Sequence, residues 1–321
     1  MNPDPTAAFL ALTDTDLAAL DIASREMADA VESAVLAKSD GRLHVTPKSA
    51  ILPGDGRYMM STLAVGDNGY TVLKTVAVCP ENRTRGLPAI NGAIMVLDAN
   101  TGLLLAVLGA NWITAHRTAA LSVVAARRLA DPNARTIAFI GCGVQAQSHL
   151  LAFAHQFPLE HVKALGRGRS NQDALCDMAR NMGLDATPTQ SPEKALREAD
   201  IVVTSVTLDY DIPPFLDAAW LKPTAFAAIT DLCIPWHSKS LDAFGTIVVD
   251  DIDQERNAER PMLAPSAIAG DLTDLVTNRL GPCAADKPKA FAFRGIALGD
   301  YAAATLALEQ ARRQGKGQTV G

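Results

Sequence analysis

The chain has 321 residues, 48% of them hydrophobic and 20% charged, with a net charge of −6. That length suits two domains, each able to bury its own core. The acidic balance argues against nucleic acid as the main partner, the ordinary composition argues against disorder, and no run approaches the ~20 apolar residues of a membrane-spanning helix.

The five cysteines, Cys79, Cys142, Cys176, Cys233 and Cys283, lie far apart with no C-x-x-C pair. Free thiols in a reducing cytoplasm are therefore expected. The six histidines show no zinc-like spacing, so no metal is expected. The opening stretch MNPDPTAAFLALTDTDL has no basic region ahead of an apolar run, so no secretory leader is expected.

Apolar residues recur at helical spacing over 13–37, after the caps Thr13-Asp14-Thr15-Asp16, and Asp40-Gly41 ends the pattern. Strand-like segments follow at 43–46, 58–64, 70–78, 93–97 and 103–108, separated by Pro/Gly and Asp/Asn/Gly turns. Strands without intervening helices predict a mainly antiparallel sheet. Residues 117–130 read as a helix, apolar nearly all round and hence buried. From Ala134 strands alternate with helices: strands at 136–140, 161–165, 201–206, 225–230 and 246–250, and helices notably at 171–182 and 192–198. That alternation predicts a Rossmann-type, doubly wound parallel sheet. A helical segment is expected at 266–280, a closing helix at 300–313 that returns to the first domain, and a disordered tail at 315–321. The fold class is thus α/β, with domains at 1–116 plus 300–321 and at 117–299.

The stretch Thr136–Ile140 leads into Gly141-Cys142-Gly143-Val144-Gln145-Ala146 and then a helix. This is G-x-G-x-x-A in the strand–turn–helix context of a dinucleotide-binding turn. Gly141 permits the turn, Gly143 lets backbone approach a pyrophosphate, and Ala146 lets helix pack on strand. An acid at the end of the second strand would select NAD. Here Arg167, Arg169 and Ser170 stand there, with no acid before Asp173. Two arginines and a hydroxyl suit a 2′-phosphate, so NADP(H) is expected over NAD(H).

Three polar residues stand out beyond that turn. Lys74 lies in the apolar strand 70–78 and either faces solvent or enters a cleft, where desolvation would bring its proton within reach of neutrality. Arg117 opens the apolar helix and needs an anion, either a substrate carboxylate or an internal acid. Asp231 follows the strand 225–230 at the edge where open α/β sheets bind ligands, unless it is the N-cap of the next helix.

The combined pattern is similar to the ornithine cyclodeaminase / mu-crystallin family. It runs from Lys74, Pro80-Glu81-Asn82, Gly86-Leu87-Pro88, Gly92, Leu97-Asp98 and Thr101-Gly102 to Thr114 and Arg117-Thr118-Ala119-Ala120. It continues through Gly141–Ala146 and Ser148-His149 to Phe291, Gly295-Ile296-Ala297 and Asp300. The resemblance implies a homodimer built on the N-terminal sheet, a bound NAD or NADP, and redox chemistry on a small amino, imino or keto acid. Lys74 and Arg117 match its substrate-carboxylate and proton-transfer positions, and Asp231 matches an acid of the cyclodeaminases. Thr118 and the turn Gly141–Ala146 match cofactor contacts, while Gly166-Arg167-Gly168 resembles the NADPH-using branch. Nicotinamide is expected near Val206-Thr207 and Thr230.

The pattern departs at Ile51, where the cyclodeaminases carry an arginine; Arg57, six residues on, is the candidate to replace it in binding substrate. It departs again at Phe291-Ala292-Phe293-Arg294-Gly295 and in the longer segment 232–238. The expected activity is therefore reduction of a small imino or keto acid. The rival readings are a cyclodeaminase that expels ammonia on bound NAD⁺ and an NADPH-binding protein without turnover.

Overall fold

The computed structural model describes residues 8–321. The expectation about a leader rests in part on residues 1–7, which lie outside the described residues. The chain divides into two compact units, one holding the chain up to Arg117 together with Ile296–Gly321, the other holding Thr118–Gly295.

The first unit contains β1 (Phe9–Leu12), α1 (Asp14–Ala18), α2 (Ser24–Ser39), β2 (Leu43–Val45), β3 (Ser49–Ile51), β4 (Tyr58–Gly66), β5 (Tyr70–Val78), β6 (Ile90–Asp98) and β7 (Leu104–Gly109). The start of α3 (Ala110–Leu129) and, from the end of the chain, α9 (Ala297–Gln314) and β16 (Gln318–Val320) complete it. The sheet runs β16-β1-β7-β6-β5-β4-β2, with β3 also on β4. It is antiparallel except where β1 pairs with β7. Alternation sorts the side chains of β4–β7 onto two faces. Thr62, Ala64, Val72, Lys74, Val76, Ile94, Val96, Ala106 and Leu108 are buried on one. Helix α9 covers that face and packs on α2. Its run of buried alanines, Ala302-Ala303-Ala304, Ala307 and Ala311, permits close approach on every side. The opposite face carries Leu63, Leu73, Met95 and Val107 in one cross-strand row.

The second unit is an eight-stranded parallel sheet in the order β10-β9-β8-β11-β12-β15-β13-β14. Its strands are β8 (Thr136–Ile140), β9 (His161–Leu165), β10 (Asp185–Pro188), β11 (Ile201–Thr204), β12 (Phe226–Ile229), β13 (Thr246–Val249), β14 (Gly270–Asp271) and β15 (Lys289–Ala292). The helices are α4 (Val144–Gln156), α5 (Arg169–Asn181), α6 (Pro192–Glu198), α7 (Ile252–Arg256) and α8 (Leu272–Val276). Chain order reverses between β8 and β11, which makes the crevice at their carboxyl ends the topological switch point of a doubly wound sheet.

Four expectations need correction. The tail is not disordered: Gly315 closes α9 in a left-handed cap at φ 63°, and β16 then pairs with β1. Pairing at a sheet edge needs backbone groups only, so β16, exposed throughout, has no apolar pattern to read. Helix α3 starts at Ala110, not at Arg117, because its N-terminus is capped from a distance, with Trp112 N–H donating to Asp14 Oδ1 at 2.8 Å. Residues 266–280 are not one helix: a 3₁₀ turn and β14 come first, and α8 begins only at the capping box of Asp271 and Asp274. The closing helix begins at Ala297, three residues before the expected start at Asp300.

Candidate active site

Three elements of the first unit bring side chains to a carboxylate carried by a fourth. Lys74, central in β5, pairs in register with Thr62 on β4, both on the helix-covered face. Arg117 lies well inside α3, and Asp300 sits in the first turn of α9. Lys74 Nζ donates to Asp300 Oδ1 at 2.6 Å, Arg117 Nε lies 3.0 Å from the same oxygen, and Thr62 Oγ1 donates to Oδ2 at 3.2 Å. The four residues are only 1–5% exposed.

The charges do not balance, because two buried cations share one anion. Burial by itself would raise the Asp300 carboxyl, but Lys74 and Arg117 outweigh it and hold the group below the usual carboxylate range. Burial pulls the Lys74 ammonium down to about 8, Arg117 and Lys48 add to that, and Asp300 opposes it. Among the described residues Arg117 Nη1 is buried without a hydrogen-bond partner, and Nε meets Asp300 as an ion pair without hydrogen-bond geometry. A buried guanidinium N–H lacking an acceptor is costly, and a carboxylate is a group that would supply both the missing acceptor and the missing charge.

The second unit carries the glycine turn. Gly141 has φ +96°, and a Cβ there would meet Ser205 O at 2.5 Å, so no larger residue fits. Gly143 is the N-cap of α4, has no side-chain cap, and a Cβ on it would enter open space. Val144 beside it is exposed, and Ala146 is buried against the sheet. Uncapped helix N–H groups beside an open glycine cradle fit a pyrophosphate. After β9, Arg167, Arg169 and Ser170 are all exposed, and neither arginine forms an ion pair among the described residues. Arg169 opens α5, whose first turn has no acidic residue. A cation at that helix end is favourable only with an anion nearby.

Asp231 is completely buried just beyond β12. It does not cap a following helix. Its Oδ1 accepts from Thr204 Oγ1 at 2.9 Å and its Oδ2 from Val206 N–H at 3.1 Å, tying the loop after β11 to that after β12. Burial pushes its carboxyl up to about 7. Leu232 and Cys233 follow, both left-handed at φ 58°, a strained turn of about 1–2 kcal/mol per residue. Thr230 Oγ1 donates to Thr204 O at 2.8 Å, while Thr207 is exposed. Thr118 is buried within α3.

Arg57 does not join the buried cluster. It lies on an exposed loop and pairs with Asp55 at 2.7 Å. The cation that reaches Lys74 from this part of the chain is Lys48. Arg294 is also spoken for: its Nε donates to Glu255 Oε2 at 2.6 Å, and the N–H groups of Arg294 and Gly295 donate to Asp250. No role for Asp300, Thr62 or Lys48 was legible in the sequence. The available signal was a lone acid, Asp300, in the otherwise apolar run ALGDYAAATLAL. Among the described residues no group of three or more His, Cys, Asp or Glu could hold a metal ion, and no helix is long and apolar enough to cross a membrane.

A doubly wound sheet with a dinucleotide turn, joined to a mixed sheet that buries a cationic cluster, defines a two-unit nucleotide-binding α/β protein. The chain belongs to the ornithine cyclodeaminase/mu-crystallin family, whose model matches residues 11–315. It is 28% identical over 252 residues to the ketimine reductase mu-crystallin of Rattus norvegicus, covering 77% of this chain and 78% of that one. A solved structure of Thermococcus litoralis Delta(1)-pyrroline-2-carboxylate reductase, in complex with NADH and L-proline, has the same fold. The TM-score is 0.88 at 23% identity, covering 97% of this chain and 100% of that one. An archaeal alanine dehydrogenase dimer with bound NAD aligns with a TM-score of 0.87 at 25% identity, over 98% of this chain and 99% of that one.

Proposed function

We propose that the chain reduces a small imino or keto acid at the carbon alpha to its carboxylate, with NADP(H) preferred to NAD(H). The observation that carries this reading is the buried cluster: among the described residues Lys74 and Arg117 share the single anion Asp300, and Arg117 Nη1 lacks an acceptor. A carboxylate on the substrate completes it. Similarity to a ketimine reductase and to a pyrroline-2-carboxylate reductase supports the same chemistry.

The turn Gly141–Ala146 and the N-terminus of α4 hold the pyrophosphate, Arg167, Arg169 and Ser170 take the 2′-phosphate, and Thr118, Val206, Thr207 and Thr230 complete the nucleotide contacts. Bound NADPH supplies the hydride. Arg117 fixes the carboxylate, and Lys74 gives its proton to the nitrogen or oxygen of the double bond as that bond is reduced. Asp231 orders the loop after β11 and has a proton to exchange near neutrality. The apolar row Leu63, Leu73, Met95 and Val107 supports a homodimer through the mixed sheet, with a second copy covering it.

The test is NADPH oxidation by the purified protein with a panel of cyclic imines and keto acids plus amine. Turnover of the carboxylate-bearing compounds, and none of matched compounds lacking the carboxylate, is expected. Equal rates with both sets would remove the clamp. A cyclodeaminase reading is favoured by one observation, the buried acid Asp231 at the end of β12. Stoichiometry separates the two, since a reductase consumes one NADPH per product and a cyclodeaminase releases ammonia with no net consumption.

A further inference from the structure

We propose that Asp300 is a positioning residue that aims the Lys74 ammonium and keeps a proton on it, while leaving one positive charge uncancelled for an incoming carboxylate. This rests on the reading of Lys74 as the proton donor, and it adds a residue that acts through Lys74 without touching substrate.

The charged groups around Lys74 come from three directions. Asp300 reaches it from α9, Arg117 from α3, and Lys48 from the segment between β2 and β3. The neighbour on β4, Thr62, is neutral. Arg117 and Lys48 both press Lys74 to shed its proton, and only Asp300 opposes them. Its geometry suits that task. The Thr62 hydroxyl donates to Oδ2 at 3.2 Å, which favours the orientation in which Oδ1 points at Nζ from 2.6 Å. Because Arg117 Nε shares that oxygen at 3.0 Å, Asp300 cancels one of the two charges and no more.

The experiment follows the proton directly. Lysines are labelled at the ε-carbon, the Lys74 resonance is assigned by its loss in Lys74→Met, and the wild type, Asp300→Asn and Asp300→Glu are titrated by NMR. In the wild type Lys74 carries its proton near pH 7. In Asp300→Asn its midpoint falls by about one pH unit or more, and Asp300→Glu restores most of that fall. The alkaline limb of kcat/KM for imine reduction moves down with the midpoint in Asp300→Asn, a change that mere loosening of the fold does not produce. An unchanged midpoint in Asp300→Asn overturns the proposal. So does a wild-type Lys74 that is already neutral near pH 7, a measurement that stands even if Asp300→Asn fails to fold. The resonance is read without substrate. A shifted midpoint in a protein that reduces no imino or keto acid therefore counts against the reductase reading and leaves the role of Asp300 in place.

Discussion

His149 Nε2 lies 2.9 Å from Ser122 Oγ, and both side chains are fully buried. The other ring nitrogen, Nδ1, bonds the carbonyl of Gln145 at 2.7 Å, which makes Nδ1 the protonated atom and Nε2 the acceptor of the serine hydroxyl. The pair bolts α4, the helix that follows the glycine turn, to α3. Burial holds this imidazole down at about 4, against an ordinary 6.5. A folded-state value below the unfolded one gives stability that is complete above pH 6.5 and is lost as pH falls through about 4. The loss is about 3 kcal/mol. Urea unfolding across that range should show a steeper acid loss in the wild type than in His149→Gln. Parallel slopes would contradict the assignment.

Lys74 should set the alkaline side of activity. As a proton donor held at about 8, it should leave kcat/KM level below that pH and falling tenfold per unit above it. Lys74→Met should lower kcat by ~10²–10⁴ with NADPH affinity, read by fluorescence, unchanged. Full turnover in that variant would exclude Lys74 from the chemistry.

Arg117 should act on substrate affinity. Arg117→Gln removes the free Nη1 donor, so KM for the carboxylate substrate should rise roughly 10–100-fold, the equivalent of about 1.5–3 kcal/mol for a charged hydrogen bond. Arg117→Lys should recover little, because a point charge cannot hold Asp300 and a carboxylate with one planar fork. Steady-state kinetics that move only kcat would speak against a clamp.

Nucleotide choice should rest on the loop after β9. The double variant Arg167→Ala, Arg169→Ala should weaken NADPH binding about tenfold, or about 1.4 kcal/mol, and leave NADH binding where it was. Equal losses for both nucleotides would show that the arginines do not read a 2′-phosphate.

Two glycines in one turn should separate folding from binding. Gly141→Ala forces a Cβ toward Ser205 O from φ +96° and should cost about 2 kcal/mol or more in thermal unfolding as well as nucleotide affinity. Gly143→Ala places its Cβ in open space and should melt like the wild type, yet lose at least about tenfold in NADPH affinity. If both variants bind NADPH normally, the turn is not the pyrophosphate site.

The parts of the fold that were legible were those whose signals are local. Strands β5, β8 and β9 and helix α6 sit where their apolar spacing and flanking turns place them. The short strands were harder. β14 has two residues and β3 three, all three exposed, so neither carries a readable period. Arg117 was legible as an arginine in need of an anion, but not as a residue deep in α3, because the cap that starts that helix belongs to Asp14, 98 positions away.

By itself the sequence determined the nucleotide turn and its place in a doubly wound sheet. A strand, a left-handed glycine and a helix start are set by adjacent residues, so that chemistry is written in one short stretch. Only the tertiary structure decided what Lys74 and Arg117 meet. Their anion, Asp300, lies 226 positions from Lys74. The compensation of a buried charge depends on which elements pack together, not on the spacing along any one of them. Burial of Lys74 beside a second cation, with the Asp300 carboxylate between them, turns an ambiguous lysine on a strand into part of a buried cluster with a surplus positive charge.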